Sequence, residues 1–241
     1  MVSNKTVLIL GANSDVAKQA ILQYIQKGFD IIAASRNTAE LEMFAVKNNI
    51  SSGVRIVFFD AADFGSHQKF YDGLSVKPQI VIYAAGFLVE NKEALKNFHS
   101  AQQMMQVNYM GAVSVLNIIA SDQNNKNLER IIGLSSLSGV RGRKSNFVYG
   151  STKAAFTTYL SGLRQELSSR KITVNVLISG YIDTKINAGL DLNKNLLMTP
   201  KYVAKHIVNA GNSFTVVPNF KWKIIYLILK ILPESLVAKL P

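Results

Sequence analysis

A chain of 241 residues is long enough to bury a substantial core as one α/β domain without covalent cross-links. The absence of cysteine excludes disulfides and thiolate metal sites, and three scattered histidines lack the spacing of metal ligands, so we expect no metal. The formal net charge of +12 suits an anionic partner, such as nucleic acid, anionic lipid or a phosphorylated substrate.

Short apolar runs alternate along the chain with stretches of helical length. The predicted strands are residues 7–10, 30–34, 55–59, 80–83, 130–134 and 173–178, and the predicted helices are 15–27, 38–48, 64–73, 99–121 and 147–169. Continuous apolar runs are typical of strands that are covered on both faces. The alternation predicts an α/β fold, a single Rossmann-like domain (1–217) with a doubly wound parallel sheet.

Three further segments carry predictions about organisation. The apolar run at 7–10 is too short for a signal peptide or a membrane span, so we expect a cytoplasmic protein. Residues 185–200 lose periodicity and predict a loop that closes over the site. Thr199 followed by Pro200 predicts the start of another helix.

The first predicted strand leads through Gly11 into a helix. Such a junction points backbone N–H groups and a helix N-terminus at a phosphate. The residues that we expect to contact a dinucleotide in this turn are Gly11, Asn13, Ser14, Asp15 and Val16. Asp15 and Ala17 stand where the three-glycine fingerprint has glycine, so the motif by itself also fits an ordinary strand-to-helix turn.

The ends of the second and third strands indicate which dinucleotide binds. A site that prefers NAD places a carboxylate after the second strand, but this chain has Ser35 and Arg36. A guanidinium can pair with a 2′-phosphate, which favours NADP(H) over NAD(H); a solvated surface arginine is the alternative. Asp60 and Ala61 follow the third strand, where the carboxylate can bind the adenine amine or cap the next helix.

Tyr149 and Lys153 form the candidate acid–base pair. Their i, i+4 spacing puts both side chains on one face of a helix. A phenol with a pKa near 10 needs a neighbouring cation to act at neutral pH, and an ammonium supplies one. Ser136, thirteen residues before the tyrosine, can hold a substrate oxygen beside the phenol. A chance YxxxK pattern on a helix is the alternative for the pair taken alone.

The order of these elements resembles the short-chain dehydrogenase/reductase family over residues 5 to about 215. The resemblance rests on the Gly11 turn, Asp60, Tyr83-Ala84-Ala85-Gly86, Asn108, Ser136, Tyr149, Lys153 and the segment 179–184. It implies hydride transfer between a nicotinamide and a carbonyl carbon, with Tyr149 as proton donor. Asp15 in place of glycine, Tyr83-Ala84 in place of Asn-Asn and Ser179 in place of proline depart from the family pattern.

The resemblance also implies roles for further residues. Lys153 holds the nicotinamide ribose, and Asn108 supports a water that relays protons to it. The implied cofactor contacts are Ala84, Ala85, Gly86, Ile182 and Thr184 together with Tyr149 and Lys153. Because members of the family are usually dimers or tetramers, we expect a homo-oligomer.

A cluster of cations precedes Tyr149 in a loop that should border the substrate. Arg141, Arg143 and Lys144 can bind a phosphate, although a solvated charge run is the commoner explanation. The residues that we predict to bind substrate are Ser136, Arg141, Arg143, Tyr149 and Tyr181.

The tail, residues 218–241, combines lysines and aromatic residues with an apolar run too short to span a bilayer. It predicts an amphipathic helix that lies on an anionic membrane, packs on its own domain or contacts a second subunit. The tail and the GxxSDxA turn resemble the branch of the family that includes decaprenylphosphoryl 2-ketoribose reductases.

Three functions compete on this sequence. The leading hypothesis is an NADP(H)-dependent reductase of a keto group on a lipid-linked or phosphorylated sugar. The alternatives are a soluble ketoreductase of a 3-oxoacyl or lipid ketone, and a catalytically silent NAD(P)-binding regulatory protein. Nucleic-acid binding is not expected, because the positive charge accompanies an apolar helix and no reading module is recognisable.

Overall fold

Seven parallel strands form the centre of the computed structural model, which describes residues 5–185 and 193–239. Their order across the sheet is β3-β2-β1-β4-β5-β6-β7. The strands are β1 (Thr6–Leu10), β2 (Asp30–Ser35), β3 (Val54–Phe58), β4 (Ile80–Tyr83), β5 (Arg130–Ser136), β6 (Thr173–Ser179) and β7 (Thr215–Val216). Strands β2 and β3 are added on one side of β1, and the strands from β4 onward are added on the other side. This is the doubly wound arrangement predicted from the sequence.

Helices pack on both faces of the sheet. They are α1 (Asp15–Gln26), α2 (Thr38–Lys47), α3 (His67–Asp72), α4 (Asn91–Lys96), α5 (Phe98–Met105), α6 (Gly111–Ser121), α7 (Phe147–Glu166), α8 (Pro200–Val208), α9 (Phe220–Ile231) and α10 (Glu234–Val237). Helix α1 packs against α8, whereas α6 packs against α3 and α7. A π-helical turn, Gln106–Met110, joins α5 to α6.

Burial explains why the apolar runs become central strands. All five residues of β1 and all four of β4 are buried, as strands with helices above and below require. The edge strand β3 instead exposes Phe58. Helix starts follow local capping chemistry: Asn37 accepts a hydrogen bond from the Glu40 N–H, and Thr199 accepts one from the Tyr202 N–H.

The predicted helix at 99–121 is interrupted, since the π turn separates α5 from α6. The predicted helix at 64–73 is α-helical only over His67–Asp72, after a 3-10 turn. Strand β7 and helix α4 were not predicted from the sequence. Of the predicted loop at 185–200, residues 186–192 lie outside the described residues; a helix begins at Pro200 as predicted.

Helix α9 of the tail packs on its own domain. Trp222 and Leu229 belong to the hydrophobic core, and the Trp222 indole Nε1 donates a hydrogen bond to the Leu196 carbonyl at 2.8 Å. Gly180, just after β6, lies directly under the indole, where a Cβ atom would overlap the ring. Within the described residues, no helix combines the length and apolar character needed to cross a bilayer.

Candidate active site

A cavity of about 1470 Å³ lies at the carboxyl ends of the strands. In doubly wound sheets this edge is where ligands bind. The cavity is lined by all the predicted cofactor residues, namely Gly11, Asn13, Ser14, Asp15, Val16, Ser35, Arg36, Asp60, Ala61, Ala84, Ala85, Gly86, Tyr149, Lys153, Ile182 and Thr184. Its size exceeds that of a typical small-ligand pocket and is sufficient for a dinucleotide together with a substrate.

The turn after β1 fits a phosphate group. Gly11 has φ of +83°, and a Cβ there would overlap the backbone of Ala84 and Ala85, so only glycine is accommodated. The Ser14 side chain makes no capping hydrogen bond to α1. The first N–H groups of that helix therefore face the cavity as donors for a phosphate.

The end of β2 fits a 2′-phosphate better than a bare ribose. The Asn13 side-chain amide donates to the Ser35 hydroxyl at 3.0 Å and to the Asn37 carbonyl at 2.7 Å. Arg36 is exposed at the cavity wall beside them. This set of hydroxyl, amide and guanidinium contains no carboxylate that would repel a phosphate.

Asp15, where the family pattern has glycine, fastens the segment that follows β6. Its carboxylate accepts the backbone N–H of Lys185 at 2.8 Å, while the Lys185 ammonium lies 2.7 Å from Glu40. Lys18 also contacts Glu40, at 2.6 Å, and the hydrogen bonds from both lysines lower the pKa of the Glu40 carboxyl. These contacts attach the segment that carries Ile182 and Thr184, which also line the cavity, to the start of α1.

The reacting side chains lie on neighbouring elements. Ser136 ends β5, and Tyr149 and Lys153 lie in the first two turns of α7. Burial raises the pKa of the Tyr149 phenol, and a hydrogen bond with the Ser136 hydroxyl opposes that increase. The phenol is therefore a protonated donor at neutral pH, aimed into the cavity beside a hydroxyl that can share its ligand.

Lys153 is 4% exposed, and burial lowers its pKa from 10.5 to about 8. Its ammonium donates to the Leu134 carbonyl at 3.0 Å and lies 5.7 Å from the centre of the Tyr149 ring. Because the ammonium is desolvated, water screens its charge only weakly at this distance from the ring. The structure thus brings Ser136, Tyr149 and Lys153 together as the sequence predicts.

Asn108 lies beneath the cavity rather than on its wall. The residue is completely buried within the π turn. Its Oδ1 accepts from the Phe87 N–H at 2.7 Å, and its Nδ2 donates to the Phe87 carbonyl at 2.9 Å and to the Thr152 hydroxyl at 3.0 Å. The side chain fixes the loop after β4 against α7.

Arg141, predicted to bind substrate, is not among the residues that line the cavity. Its guanidinium donates to the Leu229 carbonyl at 3.0 Å and to the Lys230 carbonyl at 3.1 Å, at the C-terminal end of α9. A cation there satisfies carbonyls that the helix leaves unpaired. Arg143 and Lys144 do line the cavity, and so does Tyr181, which packs edge-on against Trp222.

Two groups stand out among the cavity residues that were not anticipated. One comes from α4 and the loop before it: Leu88, Val89, Glu90, Asn91, Lys92 and Leu95. The other forms a roof from α9: Trp222, Ile225 and Leu229. The spacing 222, 225, 229 is that of one helix face and is visible in the sequence, whereas α4 is too short to show a pattern.

Asp60 carries a local structural role as well as a place on the cavity wall. Its Oδ1 accepts the Ala62 N–H at 2.9 Å within a turn, whereas the N-cap position of the next helical turn is Asp63, so Asp60 does not cap that helix as the sequence alternative expected. The carboxylate keeps lone pairs that can face a ligand.

Comparison with known proteins agrees with this geometry. Residues 5–195 match the family described as short chain dehydrogenase. An uncharacterized oxidoreductase of Staphylococcus epidermidis is 26% identical over 215 residues, which cover 87% of this chain and 91% of the relative. The 3-oxoacyl-acyl-carrier-protein reductase FabG of Aggregatibacter actinomycetemcomitans is 27% identical over 213 residues, covering 82% and 84%.

Solved structures share the fold. A short chain dehydrogenase from Burkholderia cenocepacia in complex with NADP superposes with a TM-score of 0.83 at 18% identity, covering 97% of this chain and 95% of the other. ElxO with NADP bound superposes with a TM-score of 0.79 at 19% identity, covering 92% and 99%. The match over 191 of 241 residues establishes that the chain belongs to the short-chain dehydrogenases, oxidoreductases that act on alcohol and ketone groups.

Proposed function

We propose that the protein is an NADP(H)-dependent ketoreductase. The observation that carries the proposal is the meeting of Ser136, Tyr149 and Lys153 in a cavity that also contains Asn13, Ser35 and Arg36, with no carboxylate directly after β2. The two structural neighbours that bind NADP support the choice of cofactor.

The residues divide the work of reduction. NADPH, when bound, supplies the hydride. The Ser136 hydroxyl holds the substrate carbonyl oxygen beside Tyr149, and the Tyr149 phenol gives its proton to that oxygen as negative charge develops there. The Lys153 ammonium stabilises the resulting phenolate and can hold the nicotinamide ribose.

Replacing Tyr149 with phenylalanine removes the proton donor and keeps the ring. We expect NADPH oxidation with any accepted ketone to fall by at least about a thousandfold, within the range attributed to general acid catalysis. NADPH binding, followed by fluorescence titration, should remain. Undiminished turnover would contradict the mechanism, and absence of turnover in the wild type with every ketone of a broad panel would favour a silent binding protein.

For the substrate, we propose a keto group on a phosphorylated or lipid-linked sugar. Lys92, Arg143 and Lys144 are among the cations that line the cavity and suit a phosphate, while Glu90 adds one acid to the same lining. Apolar residues of α4 and α9 line the same cavity and suit a lipid chain. This combination supports the branch that resembles the decaprenylphosphoryl 2-ketoribose reductases.

The 27% identical relative named as a 3-oxoacyl reductase favours a second candidate, a 3-oxoacyl thioester. The two substrates can be separated by the double variant Arg143→Ala/Lys144→Ala. Its KM should rise strongly for a keto-sugar phosphate and stay unchanged for the matched keto-sugar without phosphate. Reduction of 3-oxoacyl thioesters in preference to keto-sugar phosphates would reject the sugar proposal.

We further propose that α9 seats the protein on an anionic membrane from the cytoplasmic side. At 100° per residue, the side chains that point away from the domain share one face, about 100° wide. This outer face consists of Phe220, Ile224, Leu227, Ile228 and Ile231, of which Phe220 and Ile231 are 74% and 82% exposed. Lys221 borders it on one side, and Lys223 and Lys230 border it on the other, as in helices that lie in an anionic interface.

Co-sedimentation with phosphatidylglycerol vesicles tests this surface. The variant Ile224→Asp/Ile231→Asp should lose vesicle binding, and Lys223→Glu/Lys230→Glu should weaken it. Val46→Asp, which alters an exposed apolar residue of α2, serves as the matched control. If the aspartate pair changes the oligomeric state and leaves vesicle binding intact, a second copy of the chain covers this face and the membrane proposal fails. Light scattering of the wild type also tests the expected homo-oligomer.

A further inference from the structure

Tyr83 stands where the family pattern has asparagine, and its hydroxyl makes a contact that the proposed mechanism does not use. The residue ends β4 and is completely buried. Its hydroxyl donates to the Val107 carbonyl at 2.5 Å, and its ring packs against Phe156 with centroids 5.5 Å apart. The acceptor belongs to the π turn that joins α5 to α6.

The Tyr83 side chain is one of two that connect the loop after β4, residues 84–87, to the π turn. The loop leaves β4 at Tyr83 and passes Gly86 before reaching Phe87, whose backbone is held by the Asn108 amide. Val107 and Asn108 are consecutive, so the Tyr83 hydroxyl and the Asn108 amide fasten the two ends of the loop to adjacent residues of one turn.

The fastened loop adjoins the buried ammonium. The position that a Cβ of Gly86 would occupy lies 3.7 Å from Asn108 Oδ1 and 3.9 Å from Lys153 Nζ. Movement of the π turn would therefore change both the backbone that borders the cofactor and the space around Lys153. Within the π turn the Gly111 N–H donates to the Gln106 carbonyl, five residues earlier, and the Tyr83 hydroxyl is an additional contact from outside the turn.

We propose that Tyr83 is a positioning residue, whose hydroxyl holds the π turn so that Asn108 and Gly86 keep Lys153 enclosed. An asparagine at this position has a shorter side chain, so the tyrosine reaches further along the turn than the family's usual residue. Burial raises the pKa of the Tyr83 phenol, which keeps it a hydrogen-bond donor at every working pH. The proposal concerns the shape of the site and holds for any substrate.

The test compares Tyr83→Phe with Tyr71→Phe in the full-length protein. Both tyrosines are buried, and each hydroxyl makes a hydrogen bond, that of Tyr71 to Asp122 at 2.9 Å and remote from the cavity. Each variant loses one hydrogen bond of a buried phenol, to a backbone carbonyl for Tyr83 and to a carboxylate for Tyr71, and their thermal midpoints report the structural cost of each loss. Two further measurements distinguish positioning: amide hydrogen exchange over 106–110, and the pH dependence of Lys153 acetylation by acetic anhydride, followed by mass spectrometry.

In Tyr83→Phe we expect exchange over 106–110 to accelerate about tenfold, the factor that corresponds to one lost hydrogen bond. Water admitted beside Lys153 should move its titration upward from about 8 toward its ordinary value. Tyr71→Phe should match the wild type in both measurements. If either measurement gives the same result for Tyr83→Phe as for Tyr71→Phe, the positioning role is overturned.

Discussion

We expect Lys153, the ammonium of the proposed acid–base pair, to lower the stability of the protein, so Lys153→Met should be inactive and more stable. Burial lowers the lysine pKa from 10.5 to about 8, a difference equivalent to about 3 kcal/mol at about 1.4 kcal/mol per pKa unit. The substitution also removes the hydrogen bond to the Leu134 carbonyl, and this loss lowers the gain in stability by about 1 kcal/mol. We expect urea denaturation at pH 7 to give Lys153→Met about 2 kcal/mol more stability than the wild type.

The pH dependence has a definite sign. The folded protein releases this proton near pH 8 and the unfolded chain near 10.5, so wild-type stability rises with pH between those values. The free energy by which burial of the charged Lys153 destabilises the folded wild type should fall at pH 9.5 to about half of its value at pH 7. Lys69→Met, at an exposed lysine of α3, should show no such trend. A destabilised Lys153→Met, or a stability difference independent of pH, would refute the reasoning.

Three further outcomes are expected. Arg36→Ala should weaken NADPH binding at least about tenfold more than NADH binding in fluorescence titrations, because a charge-assisted contact to the 2′-phosphate is lost; equal losses would reject that contact. Gly180→Ala should lower the melting temperature and displace α9, because the added Cβ would overlap Trp222. An unchanged melting temperature would show that α9 moves aside at little cost in stability. Ketone reduction should decline as pH rises through about 8, where Lys153 loses its charge while Tyr149 stays protonated. A rate that is constant to pH 10 would contradict the prediction that Lys153 deprotonates before Tyr149.

The sequence was sufficient to predict the sheet and to place the candidate pair Tyr149 and Lys153 on one helix, because both depend on local patterns. Continuous apolar runs such as 7–10 predict strands, and the spacing of Tyr149 and Lys153 puts both on one helix face. Strand β7, with two residues, is too short for any periodicity to appear. The interruption at Gln106–Met110 leaves no mark in composition, because the residues there are as compatible with an α-helix as with a π turn.

Long-range packing accounts for the remaining differences. Arg141 and Arg143 are two positions apart in one charged run, yet only Arg143 reaches the cavity, while Arg141 satisfies carbonyls of a helix some ninety residues later. No property of the run distinguishes the two side chains. The same holds for α9: its amphipathic pattern is evident in sequence, but its place above Gly180 depends on the tertiary fit of Trp222.

Trp222 has a consequence for how the protein can be observed. It is the only tryptophan of the chain, it is 5% exposed, and it lies in the roof of the cavity. Intrinsic tryptophan emission therefore reports on a single position next to the site. Burial should shift the emission to shorter wavelength, and a reduced nicotinamide within the cavity should quench it by energy transfer. The native chain thus carries its own optical probe, with which the seating of α9 and the arrival of a nicotinamide can be followed without a label.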